Sequence, residues 1–230
     1  MNRDKKITKK TSIILASDCK KNERIMRSVR KAIEVKFNNI KREKLKISMI
    51  MTGRMGFRNK PKQEIMDDTI KKCNEWKYAE KLKIPIELID CSNKNNLEKF
   101  KKSIKTSQII WVMGGDTLYL WYHLKKTKMD ELIKKRIENN NALYVGCCAG
   151  SIIAGNTIYP TFASRFNKKT KKYYIRNTYK KKFWNNNDNQ KTLNLIKNKD
   201  ILPHCNSRSK TFKLKKRRIH CLPEYKPLIK

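Results

Sequence analysis

Residues 142–151 read Ala142-Leu143-Tyr144-Val145-Gly146-Cys147-Cys148-Ala149-Gly150-Ser151. The run opens as a short apolar strand, Ala142 to Gly146, and passes without a loop into small residues and a helical stretch. A Gly-x-nucleophile-x-Gly sequence between strand and helix is a nucleophile elbow. The sharp turn strains the backbone of its central residue, here Cys148, and only small neighbours avoid clashes. The side chain so displayed sits at the start of the next helix, where backbone N–H groups favour an anion. That setting is expected to lower the thiol pKa and to offer the Ala149 N–H to an oxyanion. The structural alternative is a buried cysteine pair ending a core strand, since free cysteine is among the most buried residue types.

Four strand-like runs precede this one. Thr11 to Ser17, Leu45 to Met51, Ile84 to Cys91 and Gln108 to Met113 are apolar and short, and helical periodicity follows each. Ile25, Val29, Ile33 and Phe37 recur every fourth residue; Met66, Ile70, Cys73 and Trp76 mark one helix after Pro61; Leu97 to Ile104 marks a short one. Leu118 to Leu124 and the set Met129, Leu132, Ile133 and Ile137 give two more. Strands alternating with helices predict an α/β fold with a mostly parallel sheet, the elbow following its fifth strand. Adjacent strands of a doubly wound sheet end on the same side. The loop after the fourth strand, Gly114-Gly115-Asp116-Thr117, can therefore lie beside Cys148. Two glycines let the backbone approach a ligand and leave N–H groups to face it, and Asp116 and Thr117 are placed to cap the next helix. A plain glycine turn would read the same way.

Beyond Pro160 the character changes. Residues 166–199 are rich in lysine and asparagine and read as a low-complexity surface insertion or disordered loop. Its aromatics, Tyr173, Tyr174, Tyr179, Phe183 and Trp184, alternate with lysine as a stacking surface for single-stranded nucleic acid would; the ordinary reading is an insert whose aromatics partly pack back. A strand-like Ile201-Leu202-Pro203-His204 follows, then a short basic tail with Lys215 to Arg218, which resembles a weak nuclear localisation run. His204 is one of three histidines and is placed to pair with Cys148 as a proton acceptor; His123, inside a helix, and His220, in the tail, read as structural.

With 57 Lys+Arg against 20 Asp+Glu, the formal net charge is +37. Such an excess gives non-specific affinity for RNA or DNA, whether it arose by function or by compositional drift towards lysine and asparagine. The seven cysteines are scattered without a CxxC pair, and their odd number argues against a complete disulfide framework. A reducing compartment follows from that, cytoplasmic or nuclear. No apolar run reaches membrane-spanning length.

Three pieces in order, Val112 to Leu120 (VMGGDTLYL), Tyr144 to Gly155 (YVGCCAGSIIAG) and Ile201 to Asn206 (ILPHCN), resemble the peptidase E (aspartyl dipeptidase) family, which includes cyanophycinases. Its members carry a GG[ND]T-type loop, a G-x-S-A-G-S elbow and a Pro-His motif. The resemblance implies a flavodoxin-like three-layer sandwich, of the class I glutamine amidotransferase-like kind, forming a single domain over 1–230. It also implies hydrolysis of a peptide or amide bond, dipeptidase-fashion, on a small peptide substrate, with no cofactor or metal. Position by position, Cys148 stands where the family has its nucleophilic serine, His204 matches the general base, and Gly115 and Ala149 the oxyanion-hole donors.

The departures are informative. The family's acidic member is expected soon after the elbow and has no match there; of the later acids Asp188, Asp200 and Glu224, Asp200 is the candidate third member. A Cys–His dyad tolerates the loss of the acid better than Ser–His does. Two alternatives stand: an inactive relative that binds nucleic acid through its basic surface, and a glutaminase. The second lacks the His-x-Glu of amidotransferases, because residues 204–206 are His-Cys-Asn.

Overall fold

The computed structural model of the chain describes residues 7–18, 23–56, 61–164, 166–167, 172–173, 181–205, 211–214, 217–223 and 227–230. Five strands form where apolar runs occur: β1 (Ile13–Ala16), β2 (Ile47–Ile50), β3 (Ile86–Ile89), β4 (Ile109–Val112) and β5 (Leu143–Cys147). They lie parallel in the order β1-β5-β4-β2-β3. Side chains alternate across each strand, and the core divides accordingly. Leu15, Ile50, Val112 and Tyr144 join one apolar cluster, while Ile14, Ile47, Met49, Trp111 and Val145 join the other.

Helices cover both faces. On the second cluster lie α1 (Glu23–Lys36), through Ile25, Val29 and Ile33, and the pair α2 (Lys62–Lys72) and α3 (Asn74–Glu80), through Ile65 and Ala79. On the first lie α4 (Leu97–Thr106), α5 (Thr117–Thr127), α6 (Met129–Glu138) and the one-turn α7 (Ala149–Ile153). This is the expected three-layer α/β sandwich with a mostly parallel sheet. Periodicity over Met66–Trp76 predicts a single helix, but the chain breaks at Cys73, whose φ of −76° and ψ of 124° are extended. Ile70 is consequently exposed, at 41%, and the restart at Asn74 carries Glu75 into the interior.

The region after α8 (Tyr159–Ser164) departs furthest from its sequence pattern. A short hairpin, β6 (Phe166–Asn167) with β7 (Lys172–Tyr173), is followed by α9 (Lys181–Trp184) and α10 (Asn187–Gln190). Within residues 184–196, exposed positions such as Asn185, Asn186 and Lys191 alternate with residues that pack back on the domain. Trp184, Leu193, Leu195 and Ile196 are buried in the α4–α7 face, and Leu193 and Ile196 donate backbone N–H groups to Ile153 and Ala154 at the end of α7. Low complexity in the lysines and asparagines conceals four apolar anchors here. Replacing Trp184 with Ala is expected to cost about 3–5 kcal/mol in urea unfolding, whereas a truly peripheral site would lose under ~0.5 kcal/mol.

The C-terminal residues also return to the fold. In a second sheet β8 (Asp200–Cys205) runs parallel to β10 (Arg217–Pro223), which pairs antiparallel with β9 (Thr211–Leu214). Then β11 (Leu228–Ile229) adds to the main sheet antiparallel to β1. Arg217, Arg218 and His220, expected in a basic tail, therefore lie in a strand, while Lys215 and Lys216 fall outside the described residues.

Candidate functional site

Between β1 and β4, strand β5 delivers the chain to the C-terminal end of the sheet. The next residue, Cys148, has φ 46° and ψ −101°, a conformation costing on the order of 1–3 kcal/mol for an L-residue. Its surroundings enforce it. The Cys148 N–H donates to Ala16 O at 3.0 Å, the Tyr144 hydroxyl donates to Gly150 O at 2.7 Å, and Ser151 Oγ lies 2.7 Å from Ala16 O and 2.8 Å from Gly146 O. A Cβ on Gly150 would fall 2.2 Å from Val112 O. The elbow reaches the end of β4 because residue 150 has no side chain.

The loop after β4 closes over the same place. Gly115 has φ 141°, and a Cβ there would lie 2.3 Å from the carbonyl carbon of Gly53. Asp116 caps α5 as its sequence predicts, accepting from Leu118 N at 2.9 Å and Tyr119 N at 3.1 Å. The backbone N–H groups of Gly115 and Ala149 lie close enough to the Cys148 sulfur to favour its thiolate. From the second sheet, His204 brings Nε2 to 3.3 Å from Cys148 Sγ, its own N–H donated to Ser17 Oγ. Its φ is 58°, a left-handed conformation that His enters more readily than most residues. Cys148, His204, Gly115 and Ala149 thus converge.

Asp200 bonds to Thr157. It opens β8, four residues before His204, or about 13 Å at 3.3 Å per residue. Its Oδ1 accepts from Thr157 N at 2.9 Å and Thr157 Oγ1 at 2.8 Å, which ties β8 to the segment after α7. The carboxylate of Asp200, the expected third member, is thereby committed to the frame. Asp200→Ala is expected to lower stability by about 1–3 kcal/mol, the cost of an unpaired buried N–H. The pH profile of Cys148 alkylation should not move; a displaced profile would return Asp200 to the site.

Electrostatics reverse a second expectation. The thiol of Cys148 is pushed up to about 11, first by burial and then by the negative charge of Glu75, with Asp18 acting in the same direction. The N–H groups of Ala149 and Gly115 pull it down but do not win, and α7, five residues long, is too short to build much of a dipole. At pH 7 the free thiolate would be on the order of 10⁻⁴ of the population. Burial also pushes His123 down to about 4 and lowers His220, which leaves both uncharged at neutral pH, in keeping with structural roles.

Glu75 was hidden by its position in a periodic helix pattern. Its carboxylate oxygens lie 3.2 and 3.3 Å from Gly114 N, and burial pushes its carboxyl up to about 7. A glutamate directly before Trp76, the last apolar position of an amphipathic run, carries no signal of this in sequence. Among the described residues no group of three or more His, Cys, Asp or Glu side chains could hold a metal ion, and no helix is long and apolar enough to cross a membrane. Cys73, Cys91, Cys148, Cys205 and Cys221 are free thiols, and Cys147 is disulfide-bonded.

A parallel α/β/α sandwich with a strained strand–turn–helix elbow at the end of a central strand defines an α/β protein of the nucleophile-elbow class. The family model for Peptidase family S51 matches residues 63–227, and the chain belongs to that family. It accordingly falls among peptidases, a class of hydrolases, and the resemblance read from the three motifs is borne out. The chain is similar in structure to a protein from Listeria monocytogenes EGD-e designated peptidase E, with 19% identity and a TM-score of 0.62 over 95% of this chain and 94% of that one. It is also similar to a peptidase from an acI-B1 Actinobacterium, with 17% identity and a TM-score of 0.57 over 86% of this chain and 70% of that one. At such identities the likeness establishes the fold. No curated protein matches the sequence.

Proposed function

We propose that this peptidase cleaves small peptides, dipeptidase-fashion, with Cys148 as nucleophile in place of the family serine, His204 as general base, and the N–H groups of Gly115 and Ala149 as oxyanion donors. One observation carries the reading: the 3.3 Å approach of His204 Nε2 to the sulfur of a cysteine held at φ 46° in the elbow. Because the thiol is held up at about 11, proton transfer accompanies attack rather than preceding it. His204 takes the Cys148 proton as Sγ bonds to the carbonyl carbon, and the carbonyl π pair moves onto oxygen between the two N–H donors. The tetrahedral adduct collapses to a thioester as His204 hands the proton to the leaving amine. Water, deprotonated by His204, then releases the acid and restores the thiol. No metal or cofactor enters this scheme.

The alternative of an inactive, nucleic-acid-binding relative draws on the net charge of +37. Two aromatics of its supposed stacking surface are engaged elsewhere: Trp184 packs edge-on against Phe162, and Phe183 against Tyr122 and Trp184. Tyr174 and Tyr179 lie outside the described residues. A cytoplasmic setting belongs to the proposal; five free thiols favour it and the Cys147 disulfide opposes it. Release of free amino acids from a dipeptide panel, compared between the wild type and Cys148→Ala, tests the reading. Turnover that survives the substitution, or no turnover of any dipeptide by the wild type, overturns it.

A further inference from the structure

Glu75 is the buried charge that the proposed reaction leaves unused. It is the second residue of α3 and 8% exposed, and it accepts the Gly114 N–H with both carboxylate oxygens within reach. Cys148 lies on the other side of that glycine. A Cβ built on Gly114 would stand 3.3 Å from Cys148 Cβ and 3.3 Å from Glu75 Oε1. Carboxyl and thiol are thus separated by little more than one glycine residue. The other charged groups whose fields reach Glu75 are Arg54, from the turn after β2, and Asp18, just after β1; His204 faces the sulfur from β8.

We propose that Glu75 is a positioning residue for Cys148: by accepting the Gly114 N–H it fixes the turn that aims the Gly115 N–H at the sulfur, and by taking up a proton it admits negative charge there. The inference rests on reading Cys148 as the nucleophile. Its electrostatic half follows from like charges held close in a dry site, which titrate as a pair rather than singly. Burial places the Glu75 carboxyl near neutrality, at about 7. Above that pH the dominant form is thiol with carboxylate, and the reactive form, thiolate with carboxylic acid, holds the same number of protons. Its population then stops rising with pH, and the thiolate climbs again only where the doubly ionised pair takes over, as the pH nears the thiol's own value of about 11. In an uncoupled cysteine it would keep rising tenfold per pH unit up to the thiol pKa.

The test is the rate of Cys148 alkylation by iodoacetamide between pH 5.5 and 10 (~ten points, sites assigned by mass spectrometry). Wild type, Glu75→Gln and Glu75→Ala are compared, each also in a His204→Asn background so that imidazole titration cannot supply the bend. Gln keeps an acceptor for the Gly114 N–H and removes the charge; Ala removes both. The wild-type profile is expected to flatten above about pH 7, while Glu75→Gln keeps climbing and labels about threefold or more faster at pH 8.5, the gain in thiolate being partly offset by its lower nucleophilicity. Glu75→Ala should melt below Glu75→Gln, as a variant lacking the turn's acceptor. Superimposable wild-type and Glu75→Gln profiles overturn the electrostatic role, and equal melting of the two variants overturns the positioning role. Labelling requires no peptide turnover. If Glu75→Gln moves the profile yet Cys148→Ala still cleaves peptides, the catalytic reading fails and the control of the thiol by Glu75 stands.

Discussion

Cys148→Ala is expected to lower kcat/KM for dipeptide hydrolysis by at least about 10³-fold, because every bond change in the scheme passes through Sγ and only binding and the oxyanion donors remain. Cys148→Ser is the more informative partner. A site built around a preformed thiolate–imidazolium pair would fail with serine, since a hydroxyl does not ionise there. Here the thiol is held up at about 11 by burial and by Glu75, so it depends on His204 at the moment of attack, as a hydroxyl would. Serine is therefore expected to retain tenfold or more activity over Cys148→Ala. A serine variant as inactive as the alanine one would point to thiolate chemistry and against concerted transfer. Cys148→Gly serves as the folding control. It abolishes the chemistry while relieving a conformation at φ 46° that costs a side-chain-bearing residue on the order of 1–3 kcal/mol, so it should unfold no earlier than the wild type. Loss of activity with retained stability separates chemistry from structure.

The parts of this protein that local rules govern were legible in its sequence. Strand alternation put Ile14 and Trp111 on one face and Leu15 and Val112 on the other, which is what a sheet covered on both sides requires. The elbow was legible because sterics leave few choices: Gly150 meets Val112 O and Gly115 meets Gly53, so only glycine fits at either position. What stayed hidden depends on chain-distant partners. Trp184 looked like one more aromatic among lysines, yet the end of α7 and the indole of Trp121 give its segment bonding partners. The break at Cys73 cannot be read from a period that continues through it, and Glu75 acquires its chemistry only from Gly114, 39 positions away. The sign of the Cys148 shift was missed for the same reason. The helix start that should lower it is local and visible, whereas the burial and the glutamate that raise it are tertiary.

His204→Asn is expected to reduce dipeptide hydrolysis by about 10²–10⁴-fold, the usual range for a positioned acid–base group. Asparagine is chosen because residue 204 sits at φ 58°, a conformation that Asn tolerates and Ala does not. The substitution keeps the backbone N–H that reaches Ser17 Oγ and removes the ring that lies 3.3 Å from the sulfur. Alanine would confound lost catalysis with added backbone strain and a loosened β8. With asparagine the melting temperature should stay near that of the wild type, so any loss of turnover belongs to the imidazole. The pH profile supplies the second readout. If His204 acts as the base, hydrolysis by the variant should track the pH profile of Cys148 alkylation in the same variant, since the thiol must then lose its proton to solvent before it attacks. An Asn variant with wild-type turnover and an unchanged pH dependence would remove His204 from the reaction and leave its contact with Cys148 as packing at the edge of the second sheet.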